Sequence, residues 1–161
     1  MTDINTQRRT ILKGAISAST LALVAASGLL LPQQLLAHWP TDAFNAESVE
    51  DALLALLGEA KELDDSQVQF KVGSPPSYAV NGALVPIEIR SDLKNIERIA
   101  VLVEKNPFPL AMSLDFTPAV KLPFKSMIKI REDSPVIAVI RADGKLYKTS
   151  RFVEVDIGGC G

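Results

Sequence analysis

The sequence predicts an all-β protein, an antiparallel sandwich with one short helix before its strands. Three observations support this fold class. Apolar and polar residues alternate in several segments, turn-forming residues separate those segments, and after residue 37 only one stretch has helical periodicity. About seven short strands at this spacing are typical of a sandwich in which each sheet buries one face.

Composition limits the classes of protein to consider. The chain has 161 residues, of which 47% are hydrophobic, with one Cys, one His and a formal net charge of −2. A single Cys excludes a disulfide scaffold, and the apolar content excludes a disordered chain. The charge gives no whole-chain attraction for nucleic acid or anionic lipid, so we expect neither as a partner.

Residues 1–37 are predicted to be a twin-arginine export signal that is cleaved. Arg8 and Arg9 precede a run without any charged residue, from Gly14 to Ala37. A charged start, an apolar middle and a small residue at the end are typical of secretory signals. Paired arginines indicate the route that carries folded proteins, so a periplasmic location is expected.

An uncleaved membrane anchor is the alternative interpretation of this leader. Its apolar stretch, Ala15–Leu31, has 17 residues, which is near the lower limit for a membrane span. The Gly, Ser and Thr residues within it and Pro32 after it favour cleavage, so we expect no stable membrane association afterwards. The rest of the chain divides into a predicted domain over 38–157 and a predicted tail over 158–161.

The helix is predicted from about Ala46 to Leu57. Asn45 is the expected N-cap, and Gly58 is the expected stop. The apolar positions that share one face of this helix are Val49, Leu53, Leu56 and Leu57. This pattern predicts a helix that docks on the sheet rather than a functional site.

Period-two alternation predicts the strands. The apolar members are Val68, Phe70 and Val72; Val85, Ile87 and Ile89; and Val153, Val155 and Ile157. The turn signals are Gly73–Pro76, Asn81–Gly82, Asn106–Pro107 and Asp143–Gly144. Each alternating segment is expected to point its apolar members into the sandwich.

Two further strands are apolar on both faces. They are Ile99–Val103 and Val136–Ile140. An antiparallel sandwich of this size buries only one face of each sheet by itself, so something must cover the other face. The cover is either the N-terminal helix or a loop, or else a second subunit. We favour the subunit, because one helix covers one strand more easily than two.

Most sites of catalysis or metal binding are excluded by the residue types present. His38 lies beside the expected cleavage point and has no companion, so we expect no metal site, no cofactor and no catalytic residue. The carboxylate pairs Asp64–Asp65 and Glu132–Asp133 are expected to be solvated rather than to act as acid and base.

The C-terminal residues Gly158, Gly159, Cys160 and Gly161 are the candidate functional site. Glycine leaves the backbone free of side-chain bulk, so the sequence predicts a flexible arm that reaches roughly 10–13 Å beyond the last strand. No fixed cation neighbours the thiol in the sequence, so Cys160 is better suited to be presented to an enzyme than to react by itself. The alternative is an incidental thiol in a frayed tail.

A basic row gives weaker support for a docking role. Lys125, Met127, Lys129 and Arg131 are predicted to share one strand face. The row is either a solvated outer face or a docking patch for an acidic partner, and it could also steer an anionic sulfur compound.

Several of these segments together resemble one known family. They are the leader, Asn81–Pro86, Asn106–Pro107, Ile128–Arg131, Asp143–Gly144 and the terminal Gly158–Gly161. The pattern is similar to that of SoxY, the sulfur-carrier subunit of the periplasmic thiosulfate-oxidising system. The resemblance covers nearly all of the chain after the leader, and the terminal motif is its most specific part.

This resemblance implies an immunoglobulin-like sandwich that forms a heterodimer with a SoxZ-like subunit. It implies that a haem-containing SoxXA-type enzyme joins thiosulfate covalently to Cys160, and that a SoxB-type hydrolase then releases sulfate. A SoxCD-type enzyme would oxidise the remaining sulfane sulfur, and the carrier itself would catalyse none of these steps. The alternatives are a thiol oxidoreductase that uses Cys160, an exported adaptor with an incidental Cys, and a carrier with a terminal thiocarboxylate.

Overall fold

The strands and helices lie in three layers, with a helical layer outside a two-sheet sandwich. We describe the chain from a computed structural model that covers residues 40–58, 63–64, 67–117, 120 and 122–158. Within these ranges the helices are α1 (Thr41–Phe44) and α2 (Val49–Leu57). The strands there are β1 (Leu63–Asp64), β2 (Val68–Phe70), β3 (Tyr78–Asn81), β4 (Val85–Ser91), β5 (Ile96–Val103), β6 (Leu110–Asp115), β7 (Phe124–Ile128), β8 (Ser134–Ala142) and β9 (Lys145–Ile157).

Two sheets form the sandwich. The larger has the order β1-β9-β8-β5-β6, with β3 also paired to β9, and the smaller has the order β2-β4-β7. The short strands β1 and β3 run parallel to β9, whereas the other pairings are antiparallel. The core between the sheets is built mainly from β-branched side chains of β4, β5 and β8. The predicted β-sandwich is therefore confirmed.

Alternation along the strands holds where a strand lies well inside a sheet. Val85, Ile87 and Ile89 of β4 are all buried, as predicted. Val72 instead is 93% exposed, because β2 ends at Phe70 and the chain then turns. Ile157 is also exposed, because it is the last residue of β9 and extends beyond the core.

The predicted turn at Asp143–Gly144 connects β8 directly to β9 as a two-residue hairpin. Asp143 and Gly144 have φ angles of 49° and 71°. Two consecutive residues with positive φ form the tight turn whose twist matches that of paired strands, and Asp-Gly is a preferred sequence for it. The turn fixes the register of β8 against β9 from Lys145 to Val153, and the last residues of β9 pair with β3 instead.

The predicted N-terminus of the long helix is wrong. α2 begins at Val49 rather than Ala46, and its cap is Ser48, whose Oγ accepts a hydrogen bond from the backbone N of Asp51 at 3.0 Å. Asn45 instead ends α1, which the sequence pattern did not indicate because it is only four residues long. The predicted end at Leu57, before Gly58, is confirmed. Neither described helix is long and apolar enough to cross a membrane.

The helices cover the second apolar face of β5 and β8. A separate buried cluster joins the two layers: Ala43, Ala52, Leu56, Leu57, Ala100, Leu102, Leu110, Val139 and Leu146. The expectation that a second subunit covers these faces is therefore wrong. The cover comes from both helices and from the strand ends at Leu110 and Leu146, whereas the sequence pattern indicated only one helix.

Two arginines of the sheet fasten the end of α2. Arg98 of β5 donates to the carbonyl oxygen of Leu56 at 3.1 Å, and Arg141 of β8 donates to that of Leu57. The last carbonyls of a helix have no partner within the helix, and positive charge at that end is favourable. The helix is thus held on the sheet by polar contacts at its C-terminus as well as by its apolar face.

Candidate functional site

The described part of the candidate site is the base from which the C-terminal tail leaves the sandwich. Gly159, Cys160 and Gly161 lie outside the described residues, as do Arg8 and Arg9 of the predicted leader. Gly158 is described and follows the end of β9. The described residues therefore show what positions the tail.

The end of β9 is tied to both sheets through the Asn81–Gly82 turn. The backbone N of Gly82 donates to the carbonyl oxygen of Ile157 at 2.7 Å, and the backbone N of Ile130 donates to that of Gly82 at 2.8 Å. Asn81 stabilises the turn itself, because its Oδ1 accepts from the backbone N of Ala83 at 2.8 Å. One buried glycine thus links the last residue of β9 to the segment after β7.

Asn106 fixes that segment from the other side. Its Nδ2 donates to the carbonyl oxygen of Lys129 at 2.9 Å, and its Oδ1 accepts from the backbone N of Arg131 at 3.0 Å. The side-chain amide thus supplies one donor and one acceptor to this segment, the same pair of hydrogen bonds that a neighbouring strand would supply. The Asn106–Pro107 turn therefore positions the chain beside the tail.

Gly158 lies against the segment that Asn106 fixes. A Cβ atom on Gly158 would overlap the backbone carbonyl oxygen of Arg131. The φ angle of Gly158 is not positive, so the absence of a side chain is needed for close packing rather than for an unusual backbone conformation. Four of the segments singled out in the sequence, at Gly82, Asn106, Arg131 and Gly158, thus meet at the tail base.

Carboxylates lie on the β9 side of this base. Asp133 is exposed, as predicted, but its Oδ1 accepts from the backbone N of Val155 at 2.7 Å and so serves the fold. Glu154 and Asp156 point outward next to Tyr78 of β3. Partial burial, together with the charge and hydrogen bond of Asp156 and the charge of Glu154, raises the pKa of the Tyr78 hydroxyl.

Basic side chains lie on the other side of the base, along β7 and its continuation. Lys125, Met127, Lys129 and Arg131 are all exposed, and the residues between them are partly or fully buried, so the predicted shared face is confirmed. Among the described residues, no hydrogen bond or ion pair engages the side chain of Lys129 or Arg131.

Sequence reasoning missed Glu88, which lies under this row. Its position between Ile87 and Ile89 predicts an outward, solvated side chain, yet the side chain is only 6% exposed. Arg90 donates to its Oε1 from Nε at 2.8 Å and from Nη2 at 2.6 Å. Lys125, its cross-strand partner on β7, and Lys71, which follows β2, bring two further cations over it, and neither placement is visible in the sequence.

The described residues contain no group of three or more His, Cys, Asp or Glu side chains that could hold a metal ion. What these residues offer is a rigid platform for a tail. The fold and the base together define an immunoglobulin-like β-sandwich that presents its C-terminus beside a hydrogen-bonded junction of both sheets.

The comparisons assign this class to one family. The sequence model described as "SoxY: Sulfur oxidation protein SoxY" matches residues 53–160, about two thirds of the chain. The chain therefore belongs to the SoxY family of sulfur oxidation proteins. A search of curated proteins finds no match.

One solved structure agrees with that assignment. The sulfur carrier protein SoxY from Chlorobium limicola f thiosulfatophilum matches with a TM-score of 0.59 and 27% identity, over 68% of this chain and 97% of that one. The fibronectin(III)-like modules of Clostridium thermocellum CbhA match with a TM-score of 0.39 and 15% identity, over 55% and 97%. An engineered protein matches with a TM-score of 0.41 and 15% identity, over 55% and 19%. Only the first of these carries weight.

Proposed function

We propose that this chain is a covalent carrier of sulfur intermediates in thiosulfate oxidation and that Cys160 is the attachment site. One observation carries the proposal: the family match runs to residue 160, and Cys160 is the only thiol in the chain. The carrier described for the Chlorobium relative and the tail base of the described structure support it. In this proposal residues 38–157 form the domain and 158–161 the tail, of which Gly158 is packed against Arg131 at the base.

The carrier is a substrate of partner enzymes, not an enzyme. A SoxXA-type enzyme joins the outer sulfur of thiosulfate to the Cys160 sulfur. The thiol proton is released, and two electrons pass, one at a time, to that haem-containing enzyme. A SoxB-type hydrolase adds water to the sulfonate sulfur, so sulfate leaves and a persulfide remains on Cys160. A SoxCD-type enzyme, where the host has one, oxidises this outer sulfur further.

A SoxZ-like subunit completes the carrier in this proposal. The helices already cover the outer face of β5 and β8, so the subunit needs another surface. Tyr78 and Val80 of β3 and Phe152 of β9 point outward together and are each more than half exposed. Exposed aromatic and branched side chains on one sheet face are what a partner subunit would bury.

We further propose that residues 1–37 direct export by the twin-arginine route and are removed in the periplasm. Paired arginines before an uncharged run support this. Replacing Arg8 and Arg9 together by Lys should leave the uncleaved precursor in the cytoplasm, which immunoblots of cell fractions would measure. Normal periplasmic yield of the variant would overturn the route but not the carrier function.

The test of the carrier function is Cys160→Ser. The variant should fold and reach the periplasm normally, yet carry no sulfur adduct in intact-mass spectra of the native protein and support no thiosulfate oxidation in a reconstituted system. Retained oxidation would reject the proposal and favour an adaptor with an incidental thiol. Serine is the matched replacement, because it changes only the sulfur atom to oxygen and keeps the glycines on either side.

A further inference from the structure

The buried carboxylate of Glu88 gathers three cations on the outer face of the β2-β4-β7 sheet. Arg90 is bonded to it through both Nε and Nη2, Lys71 Nζ lies 3.3 Å from its Oε2, and Lys125 Nζ lies 3.6 Å away. Glu88 is almost fully buried, whereas the three cationic side chains stay 46–68% exposed. The arrangement therefore hides the single negative charge and shows the positive ones to solvent.

This face is basic on a chain that is acidic. Lys129 and Arg131 extend the three cations along the continuation of β7, which gives five positive charges against the one buried carboxylate. We call these five residues, Lys71, Arg90, Lys125, Lys129 and Arg131, the basic face. After residue 37 the whole chain has 14 Lys and Arg against 18 Asp and Glu, so the rest of the domain carries the opposite sign. Such separation of charge attracts and orients an acidic partner.

The centre of the basic face is apolar. Met127 and Leu84 are exposed by 58% and 68%, and Pro86, the cross-strand neighbour of Met127, is also exposed. A shallow depression beside them is lined by Ser74, Pro86, Ile87, Glu88, Lys125, Ser126 and Met127. An apolar centre with a charged rim, and with Met and Arg present, is the usual anatomy of a protein interface. Lysines that merely protect a sheet edge need no such centre.

The basic face leads to the tail. From Lys125 to Arg131 the chain advances about 20 Å at the rise of a strand. Its last member, Arg131, is the residue whose carbonyl oxygen abuts Gly158. A protein that docks on this face therefore lies directly beside the point from which Cys160 is presented.

We propose that the basic face is the docking surface for an acidic patch on the enzyme that loads the tail. The inference rests on the proposed carrier function and adds to it where the loading enzyme sits and which charges bring it there. The two cations next to the tail, Lys129 and Arg131, are the ones to change, because their side chains have no partner among the described residues. Replacing them leaves the Glu88 cluster intact.

The experiment compares Lys129→Glu/Arg131→Glu with Lys94→Glu/Lys145→Glu in the exported protein, purified with any subunit that accompanies it. The control pair makes the same change in charge. Lys145 starts β9, about 40 Å of strand away from Gly158. The second-order rate constant for loading by the SoxXA-type enzyme of the same host is measured from about 0.02 to 0.5 M salt. Alkylation of Cys160 by neutral iodoacetamide and by anionic iodoacetate is measured on the same samples.

The Lys129→Glu/Arg131→Glu variant should load at least about tenfold more slowly at low salt, and the difference should vanish near 0.5 M as screening shortens to a few ångströms. The control variant should load at the wild-type rate, and both alkylation rates should stay unchanged.

Equal loading of the two variants, or a loading deficit that salt does not relieve, would overturn the docking surface. A selective loss of iodoacetate reactivity would also overturn it, because it would show that the basic face acts on small anions. In each of these cases loss of loading in Cys160→Ser would still stand, so the two proposals fail separately.

Discussion

Gly158 packs so closely against the carbonyl oxygen of Arg131 that its place has no room for a Cβ atom. The sequence attributes the same role, a flexible arm, to Gly158, Gly159 and Gly161. The contact separates them, since it assigns Gly158 to the platform on which the arm is mounted. A substitution there changes the junction of both sheets rather than the reach of the thiol.

Gly158→Ala should therefore loosen the end of β9 without unfolding the domain. The methyl group must displace the chain from Arg131 at a cost of about 1–2 kcal/mol, and the strand end can fray to accommodate it. The backbone N of Gly82 donates to Ile157, so its hydrogen exchange should accelerate by about tenfold or more at this cost. Gly159→Ala is the matched control and should leave this amide protected. Equal protection in both variants would mean that the contact does not hold the strand end.

Glu88→Gln should destabilise the domain in a way that depends on pH. Hydrogen bonds from Arg90 are the main reason that the pKa of Glu88 lies below its ordinary value of 4.5, and they outweigh the opposing effect of burial. A carboxyl group with a lowered folded-state pKa stabilises the fold above its unfolded-state pKa, and this contribution is lost as the pH falls through the folded-state pKa.

The urea midpoint of the wild type should thus exceed that of Glu88→Gln by a constant amount between about pH 5.5 and 7, and the gap should close below about pH 4. Glu104→Gln is the control, because within the described part of the chain the Glu104 side chain makes only an exposed pair with Lys105, at 3.7 Å. Its midpoint should follow the wild type at every pH. A gap for Glu88→Gln that is independent of pH would show that shape rather than charge is what the site needs.

Leu56→Ala should be costly because Leu56 seals the outer face of β5 and β8. Its side chain is buried in the cluster between the helices and the sheet. Truncating it leaves a cavity and should lower the free energy of unfolding by about 2–4 kcal/mol. Leu54→Ala, at a position that is 56% exposed on the same helix, should change that free energy by less than about 0.5 kcal/mol. Equal small effects of both changes would indicate that the helix does not seal these strands.

Some elements of this fold can be predicted from the sequence, and others cannot. Alternation located β4 correctly and Asp143–Gly144 located its hairpin, because both depend on interactions between residues close in sequence. The cover of Leu102 and Val139 could not be derived in the same way. It depends on α1, which is too short to leave a periodic signal, and on arginines 98 and 141, which meet α2 only in the folded chain.

The tail base shows the same limit. Asn81, Asn106 and Gly158 stood out in the sequence, as turn formers or as part of the terminal motif, but their convergence requires a glycine that bonds both β9 and the segment after β7. The burial of Glu88 depends on its cross-strand pairing with Lys125, and these two residues are too far apart in the sequence for any local pattern to reveal the pairing. Residues that share a strand could be placed from the pattern, whereas residues that meet across the sandwich could not.

Gly159→Val separates a thiol that is presented to an enzyme from one that is merely exposed. Because Gly158 belongs to the platform, replacing both glycines would disturb the base and the arm together, so Gly159 alone is the informative position. Valine adds branched bulk one residue before Cys160, which stiffens the backbone and widens the segment that must enter an enzyme's channel. Iodoacetamide should still alkylate Cys160 at nearly the wild-type rate, because it needs only access to the sulfur. Enzymatic loading should fall by about tenfold or more, since a loss of about 1.4 kcal/mol in the docked state already has that effect.

Gly159→Ala is the graded control, and its loading rate should lie between those of the wild type and the valine variant. If both rates fell together, glycine would matter only for exposure of the thiol, and if neither fell, the narrow arm would have no part in transfer.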